Sequence, residues 1–377
     1  MKILYDHQVF EEQEFGGISR YFSELIRRNP EARLCLEYSD NIHIRDHPRF
    51  EKELRAKDFH VDRFLGGIRF RGKNRIYSYY KRIPGLRPRS NKDASVEALK
   101  RGDFDLFHPT YYDPYFLDVL GNRPFVVTIY DMIHEKFPEN FWSEDPTGER
   151  KKRVALEAAL IIAISENTKK DILSAYEIDP GKIRVIYLGS SLRKGAIEGI
   201  DLPDNYILFT GMRHGHKNFG FFAATIAELL IAKPDLYLVC TGPQFSREEA
   251  ALFSNLGIAK KVLHRFAPEA ALYSIYSRAR CFVFPSYYEG FGIPILEAFE
   301  AGCPVLLARA SCFPEIAGDA ALYFDPREGQ ELLDSLSELL KSESLRGELI
   351  AKGRKRLRDF SWDLTYSRTM DCYREIS

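Results

Sequence analysis

A chain of 377 residues, 45% hydrophobic and 29% charged, is long enough for two cores, because single cores stop growing at roughly 250–300 residues. Its 54 Lys and Arg balance 54 Asp and Glu, which excludes a global field suited to nucleic acid or to a strongly acidic partner. Six scattered cysteines exclude a disulfide scaffold or zinc knot, and no apolar run approaches the ~20 residues of a spanning helix, so the expected setting is the reducing cytoplasm.

The start, Met1-Lys2-Ile3-Leu4-Tyr5-Asp6-His7, has no apolar signal core. Residues 2–7 predict a strand, 8–17 a loop ending in Gly16-Gly17, and 18–28 a helix whose Ile18, Tyr21, Phe22, Leu25 and Ile26 share one face. Residues 41–100 break the βα rhythm. From Arg63 to Arg89 basic residues alternate with aromatic and apolar ones and no acidic residue intervenes. That composition suits peripheral adsorption to an anionic membrane surface, or a grip on a pyrophosphate-bearing acceptor. A solvated insertion with core aromatics fits it equally, and RNA binding has no recognisable motif to accompany the charge.

Further strands are expected at 105–110, 125–131, 160–165 and 183–188, and after a Gly- and Pro-containing stretch at 190–204 a second series follows at 206–212, 236–242, 262–266, 281–286, 304–308 and 321–325. Alternating short strands and amphipathic helices imply parallel sheets in two doubly wound α/β halves. The expected division is 1–195, 204–359, and an amphipathic tail at 360–377 that packs back on the first half.

The segment from Phe284 to Ala298 reads strand, glycine loop, helix, with Pro294 suited to the first helical turn. Gly290 and Gly292 then lie where backbone can approach a ligand closely, and the helix entrance offers N–H groups to an anion such as a diphosphate. Glu289 and Glu297, eight positions apart, would be repelled there unless they hold sugar hydroxyls. A surface role favoured by the helix dipole would explain Glu297 but not Glu289. A second phosphate contact is expected from Gly211 to Asn218, where Asn218 can cap a helix starting at Phe219 and place Lys217 at its entrance. His214-x-His216 lacks a third metal ligand.

The E-G-F-G-I-P-x-L-E-A segment, together with Ala301-Gly302-Cys303-Pro304-Val305, Phe313-Pro314-Glu315-Ile316 and the Gly211…Lys217-Asn218 ending, resembles the signature of family 4 glycosyltransferases. The resemblance spans most of the chain and implies the GT-B fold, two Rossmann-like domains facing across a cleft. It further implies a retaining, metal-independent transfer from a GDP- or UDP-sugar donor, with no cofactor. Glu289 would contact the donor hexose, Glu297 the ribose, and backbone at Phe291, Gly292 and Ile293 the sugar and diphosphate. Arg265-Phe266 would lie near the base. Lys217 and Arg213 would meet phosphate, although many members carry arginine directly after the glycine, where this chain has Met212. The Gly16-Gly17 pair would admit donor phosphate or acceptor, a tight turn being the alternative. Where many members have histidine before the aspartate of the segment 128–134, this chain has Tyr130, so Asp131 or His134 would take over part of that role. His108 is a further cleft candidate, with a core histidine as the alternative.

The chain looks similar to bacterial mannosyltransferases of lipopolysaccharide and exopolysaccharide assembly, which implies GDP-mannose as donor and a glycan or lipid-linked acceptor. Asp103-Phe104-Asp105 matches the D-x-D of metal-dependent transferases but precedes a strand, and is read as coincidence. A sugar-nucleotide epimerase on the same scaffold, or a non-catalytic sugar-nucleotide or glycan-binding protein, remains an alternative.

Overall fold

The computed structural model describes residues 1–45, 47, 49–50, 68, 70, 72–80, 90–194, 200–267 and 269–376. Most of the basic and aromatic run at 63–89 therefore lies outside the described residues, apart from Ile68, Phe70 and the residues of the helix Lys73–Tyr80 with Gly72 before it.

Among the described residues six short strands form the first half: β1 (Ile3–Tyr5), β2 (Arg33–Leu34), β3 (Leu106–His108), β4 (Val126–Ile129), β5 (Leu160–Ala163) and β6 (Ile183–Val185). They pair in parallel as β2-β1-β3 and β4-β5-β6, and a parallel bridge between Phe107 and Phe125 links the two groups. The second half has β7 (Tyr206–Phe209), β8 (Tyr237–Cys240), β9 (Val262–His264), β10 (Cys281–Phe284), β11 (Val305–Ala308) and β12 (Ala321–Phe324), in the parallel order β12-β11-β10-β7-β8-β9. This is the doubly wound Rossmann order, so both halves are Rossmann-like. Every residue of β4, β5, β7, β10 and β11 is buried, as expected of strands covered on both faces by helices.

All the expected strands except β11 are shorter than expected at their C-terminal ends, because the last residues of those apolar runs turn into the loops that carry polar groups. Two elements differ from expectation. The stretch 8–17 contains a helical turn, Gln8–Glu12, before the helix Gly17–Arg28. Two-residue β2 is too short to leave a periodic signal.

In a doubly wound sheet, ligands bind outside the carboxyl ends of the strands where the strand order reverses. In the second half that point lies between β7 and β10, and in the first half between β1 and β3. The C-terminal helix Trp362–Ile376 packs on the helix Gly17–Arg28 and on β5, and its Tyr373 hydroxyl lies 2.6 Å from His108 Nδ1 and 3.1 Å from the Tyr5 hydroxyl. All six cysteines are buried and unpaired.

Candidate active site

The loops leaving β7 and β10 flank the reversal point of the second sheet, and they bring Lys217 and Glu289 together. Lys217 Nζ donates to Glu289 Oε1 at 2.6 Å, and the Ser286 hydroxyl donates to the same oxygen at 2.9 Å. The side chains are 20% and 12% exposed, sheltered enough for the charges to be little screened by salt yet open to a ligand. Three residues on, Gly292 adopts the left-handed conformation (φ 90°, ψ 54°) from which the helix Ile293–Glu300 starts. Ammonium and carboxylate are therefore paired three residues before the helix entrance.

Glu297 lies in the second turn of that helix. Its Oε2 accepts from the Tyr276 hydroxyl at 3.2 Å. Burial, and after it the Glu297 charge, pushes the Tyr276 phenol well above its ordinary value, so it remains a proton donor. Glu297 Oε1 lies 3.6 Å from Arg20 Nη1. Arg20 comes from the other half of the molecule, on the helix Gly17–Arg28, and the sequence reading missed it. A signal existed: a cation at the end of a helix's first turn opposes the helix dipole and calls for an anion nearby.

The glycine pair divides its roles. A side chain at Gly17 would stand 3.6 Å from the Ile293 methyl, so Gly17 faces the helix entrance across the cleft. At Gly16 a side chain would strike the Gln13 amide oxygen at 2.4 Å, the same oxygen that accepts from Ser19 N–H at 3.2 Å. Gly16 thus serves a local turn that caps the helix.

Three expectations are corrected by the structure. Gly290 does not leave room for a ligand: a Cβ there would lie 1.7 Å from the Tyr130 carbonyl oxygen, and the Gly290 carbonyl accepts from Ser165 and Thr168 hydroxyls at 2.7 and 3.3 Å. Its close approach is to the other half of the chain. Arg213 is turned away from the pair. Its guanidinium donates to Glu249 and to the carbonyls of Thr241, Pro243 and Gln244, with its side chain 3% exposed. Asn218 precedes the helix at Phe219 but in a left-handed conformation without a side-chain cap, and its amide donates instead to the Pro326 carbonyl. His108 takes the core reading rather than the cleft one: it is fully buried between Tyr373 and Thr128 hydroxyls, and burial lowers its imidazole to about 3.

Phe291 is buried, and its ring packs near Tyr187 and Phe360. Arg265 donates to the carbonyl and carboxylate of Asp201, while Phe266 beside it is 79% exposed. Asp131 stands next to the loop after β10, its Cβ 3.2 Å from where a Gly290 side chain would sit, and buried Lys151 lies 3.9 Å from its carboxylate. His134, one turn on, stacks on Phe141 at 3.9 Å and lies 3.7 Å from Asp145. The Asp-x-Asp aspartates lie at the N-terminal ends of β1 and β3, away from the carboxyl ends of the strands, and Asp103 pairs there with Lys2 and Arg33.

His216, beside Lys217, carries no sequence signal beyond the discounted His214-x-His216 pair. Its Nε2 is buried and has no hydrogen-bond partner among the described residues, and burial followed by the Lys217 charge lowers its imidazole below the ordinary value. Among the described residues no group of three or more His, Cys, Asp or Glu is placed to hold a metal ion.

The remaining signature residues join the halves. Glu315 accepts from the N–H groups of Glu166 and Asn167 at 2.6 and 3.1 Å, supplying from the second half an anion to the start of the helix Glu166–Ala175. Tyr288 donates to Asp171 at 2.8 Å and accepts from Met132 N–H at 3.2 Å.

Comparison with known proteins agrees with this architecture. Residues 15–193 match the family model described as Glycosyltransferase Family 4, and residues 193–356 that described as Glycosyl transferases group 1. An O-antigen chain mannosyltransferase B of Escherichia coli is 37% identical over 109 residues, 29% of each chain. A D-inositol 3-phosphate glycosyltransferase of Corynebacterium efficiens is 25% identical over 318 residues, 75% of this chain and 74% of that one. Among solved structures, a sucrose-phosphate synthase of Thermosynechococcus elongatus superposes with a TM-score of 0.72 at 17% identity, over 99% of this chain and 98% of that one. The fold and the two family models together define a GT-B glycosyltransferase. The chain belongs to the family 4-like group of these enzymes.

Proposed function

We propose that the chain transfers a hexose with retention of anomeric configuration from a nucleoside-diphosphate sugar, GDP-mannose by preference, to a glycan or lipid-linked acceptor of bacterial surface polysaccharide. The observation that supports it most is the Lys217–Glu289 pair, 2.6 Å apart beside the helix entrance at Gly292. The match to an O-antigen chain mannosyltransferase motivates the choice of mannose.

In this reading hexose hydroxyls displace the ammonium from Glu289, and Lys217 turns to the diphosphate. As the glycosidic bond breaks, negative charge grows on the leaving diphosphate, and preoriented Lys217 and helix-entrance N–H groups stabilise it without a metal ion. Glu297 takes ribose hydroxyls, and exposed Phe266 stacks on the base. Asp131, beside the donor loop, takes the part of the family histidine. His134, held between Phe141 and Asp145, supports the segment from behind. With no protein nucleophile assigned, the acceptor attacks from the leaving-group side.

A thermal-shift screen of GDP-, UDP- and ADP-sugars tests the donor, since a ligand of the folded state raises stability by mass action. GDP-mannose should give the largest shift, and transfer should yield the α-anomer by NMR. An inverted product, or a shift by UDP-sugars alone, would overturn the respective part of the reading.

A further inference from the structure

The donor cleft contains two cation–carboxylate pairs of different origin. Lys217 and Glu289 both belong to the second half, whereas Arg20 reaches Glu297 from the first half, Nη1 to Oε1 at 3.6 Å. Both partners are sheltered, with Arg20 15% and Glu297 8% exposed. The contact is not isolated. Gly17, three residues before Arg20, faces Ile293 at the entrance of the helix that carries Glu297. Two helix beginnings therefore point toward one space, one with Arg20 in its first turn and the other with Glu297 in its second.

Charge balance shows what a nucleotide must do there. Each cation is opposed by a carboxylate, so the pairs alone offer little net positive charge to an incoming diphosphate. Sugar hydroxyls can replace a cation as hydrogen-bond donors to a carboxylate, but they bring no charge. Each hydroxyl pair that settles on a carboxylate therefore releases one cation toward phosphate.

We infer that Arg20 is a donor-binding residue contributed by the first half of the molecule: when ribose hydroxyls occupy Glu297, its guanidinium passes to the diphosphate, opposite Lys217. A guanidinium suits the role because its planar fork matches two phosphate oxygens at once. Arg20 then couples nucleotide binding to closure of the cleft, since it reaches the phosphates only with the two halves in contact. The inference rests on the reading of Glu297 as the ribose contact.

Ligand-observed NMR or calorimetry on the full chain, with GDP and guanosine and with UDP and uridine, separates the two claims. Arg20→Ala should weaken the nucleoside diphosphate that binds by about 10- to 100-fold and change its nucleoside less than about twofold, and Arg20→Gln should do the same with less disturbance to packing. Lys at this position should recover part of the affinity. Glu297→Gln should weaken the nucleoside, and the diphosphate less, because Arg20 is then unopposed and already free for phosphate. Equal loss of both ligands in Arg20→Ala and Arg20→Gln, or no loss of either, would overturn the role of Arg20. Unchanged nucleoside binding in Glu297→Gln would instead overturn the ribose assignment, whatever Arg20 does.

Discussion

The loop after β7 and its surroundings hold two ion pairs of the same length and opposite purpose. Arg213 Nε meets Glu249 at 2.6 Å, and Lys217 Nζ meets Glu289 at 2.6 Å. Distance does not distinguish them; the surroundings do. Arg213 is also bonded to three backbone carbonyls, and Glu249 to the Ser246 N–H in a capping box, so both charges are saturated within the fold. Lys217 is more exposed, and its carboxylate partner adjoins a helix entrance. A saturated pair holds a loop, while an unsaturated one can exchange partners with a ligand. The first half repeats the lesson at its own switch point, where Asp6 is fully buried and accepts from Thr110, Gln8 and Tyr115.

This contrast can be broken most forcefully at Arg213. Arg213→Met should cost about 3–5 kcal/mol of stability, because it strands Glu249 and three carbonyls. Nucleotide affinity of the folded fraction should be unchanged, as read by denaturant melts and calorimetry. Lys217→Ala and Glu289→Ala should show the reverse: turnover falls about 10²–10³-fold, equivalent to roughly 3–4 kcal/mol of transition-state stabilisation, with little change in melting temperature. Near-normal turnover in both variants would remove the site assignment.

The first half offers a pH test of saturation. His108 has an ordinary value of 6.5 and a folded value of about 3, so the unfolded chain binds a proton that the folded chain refuses. Its contribution is fully present above pH 6.5 and is lost as pH falls toward 3. Unfolding free energy should drop by about 1.4 kcal/mol per pH unit over that range from this group alone. His108→Gln should flatten the acid limb without abolishing donor binding. Smallest of all, Glu315→Gln weakens the anion at the helix Glu166–Ala175 and should cost about 1 kcal/mol, measured by thermal melts.

Much of the second half was legible because its strands are continuous apolar runs and its chemistry is local in sequence. Glu289, Gly292 and Glu297 fall within nine residues, and their placement follows once strand, loop and helix are recognised. What failed depended on long-range partners. Gly290 looks like a ligand loop glycine until Tyr130, 160 positions earlier, fills the space. Arg213 and Lys217 are both basic loop residues, and only the position of Glu249 tells them apart. Arg20 carried no motif of its own, because its partner lies on the other half.

The most direct measurement compares GDP-mannose with GDP by calorimetry on Lys217→Ala and Glu289→Ala. An ammonium that meets the diphosphate and a carboxylate that meets the hexose predict a split: Lys217→Ala weakens both ligands, while Glu289→Ala weakens GDP-mannose and spares GDP. Identical losses for the two ligands in Glu289→Ala, or intact GDP binding in Lys217→Ala, would contradict a cleft in which these two side chains divide the donor between them.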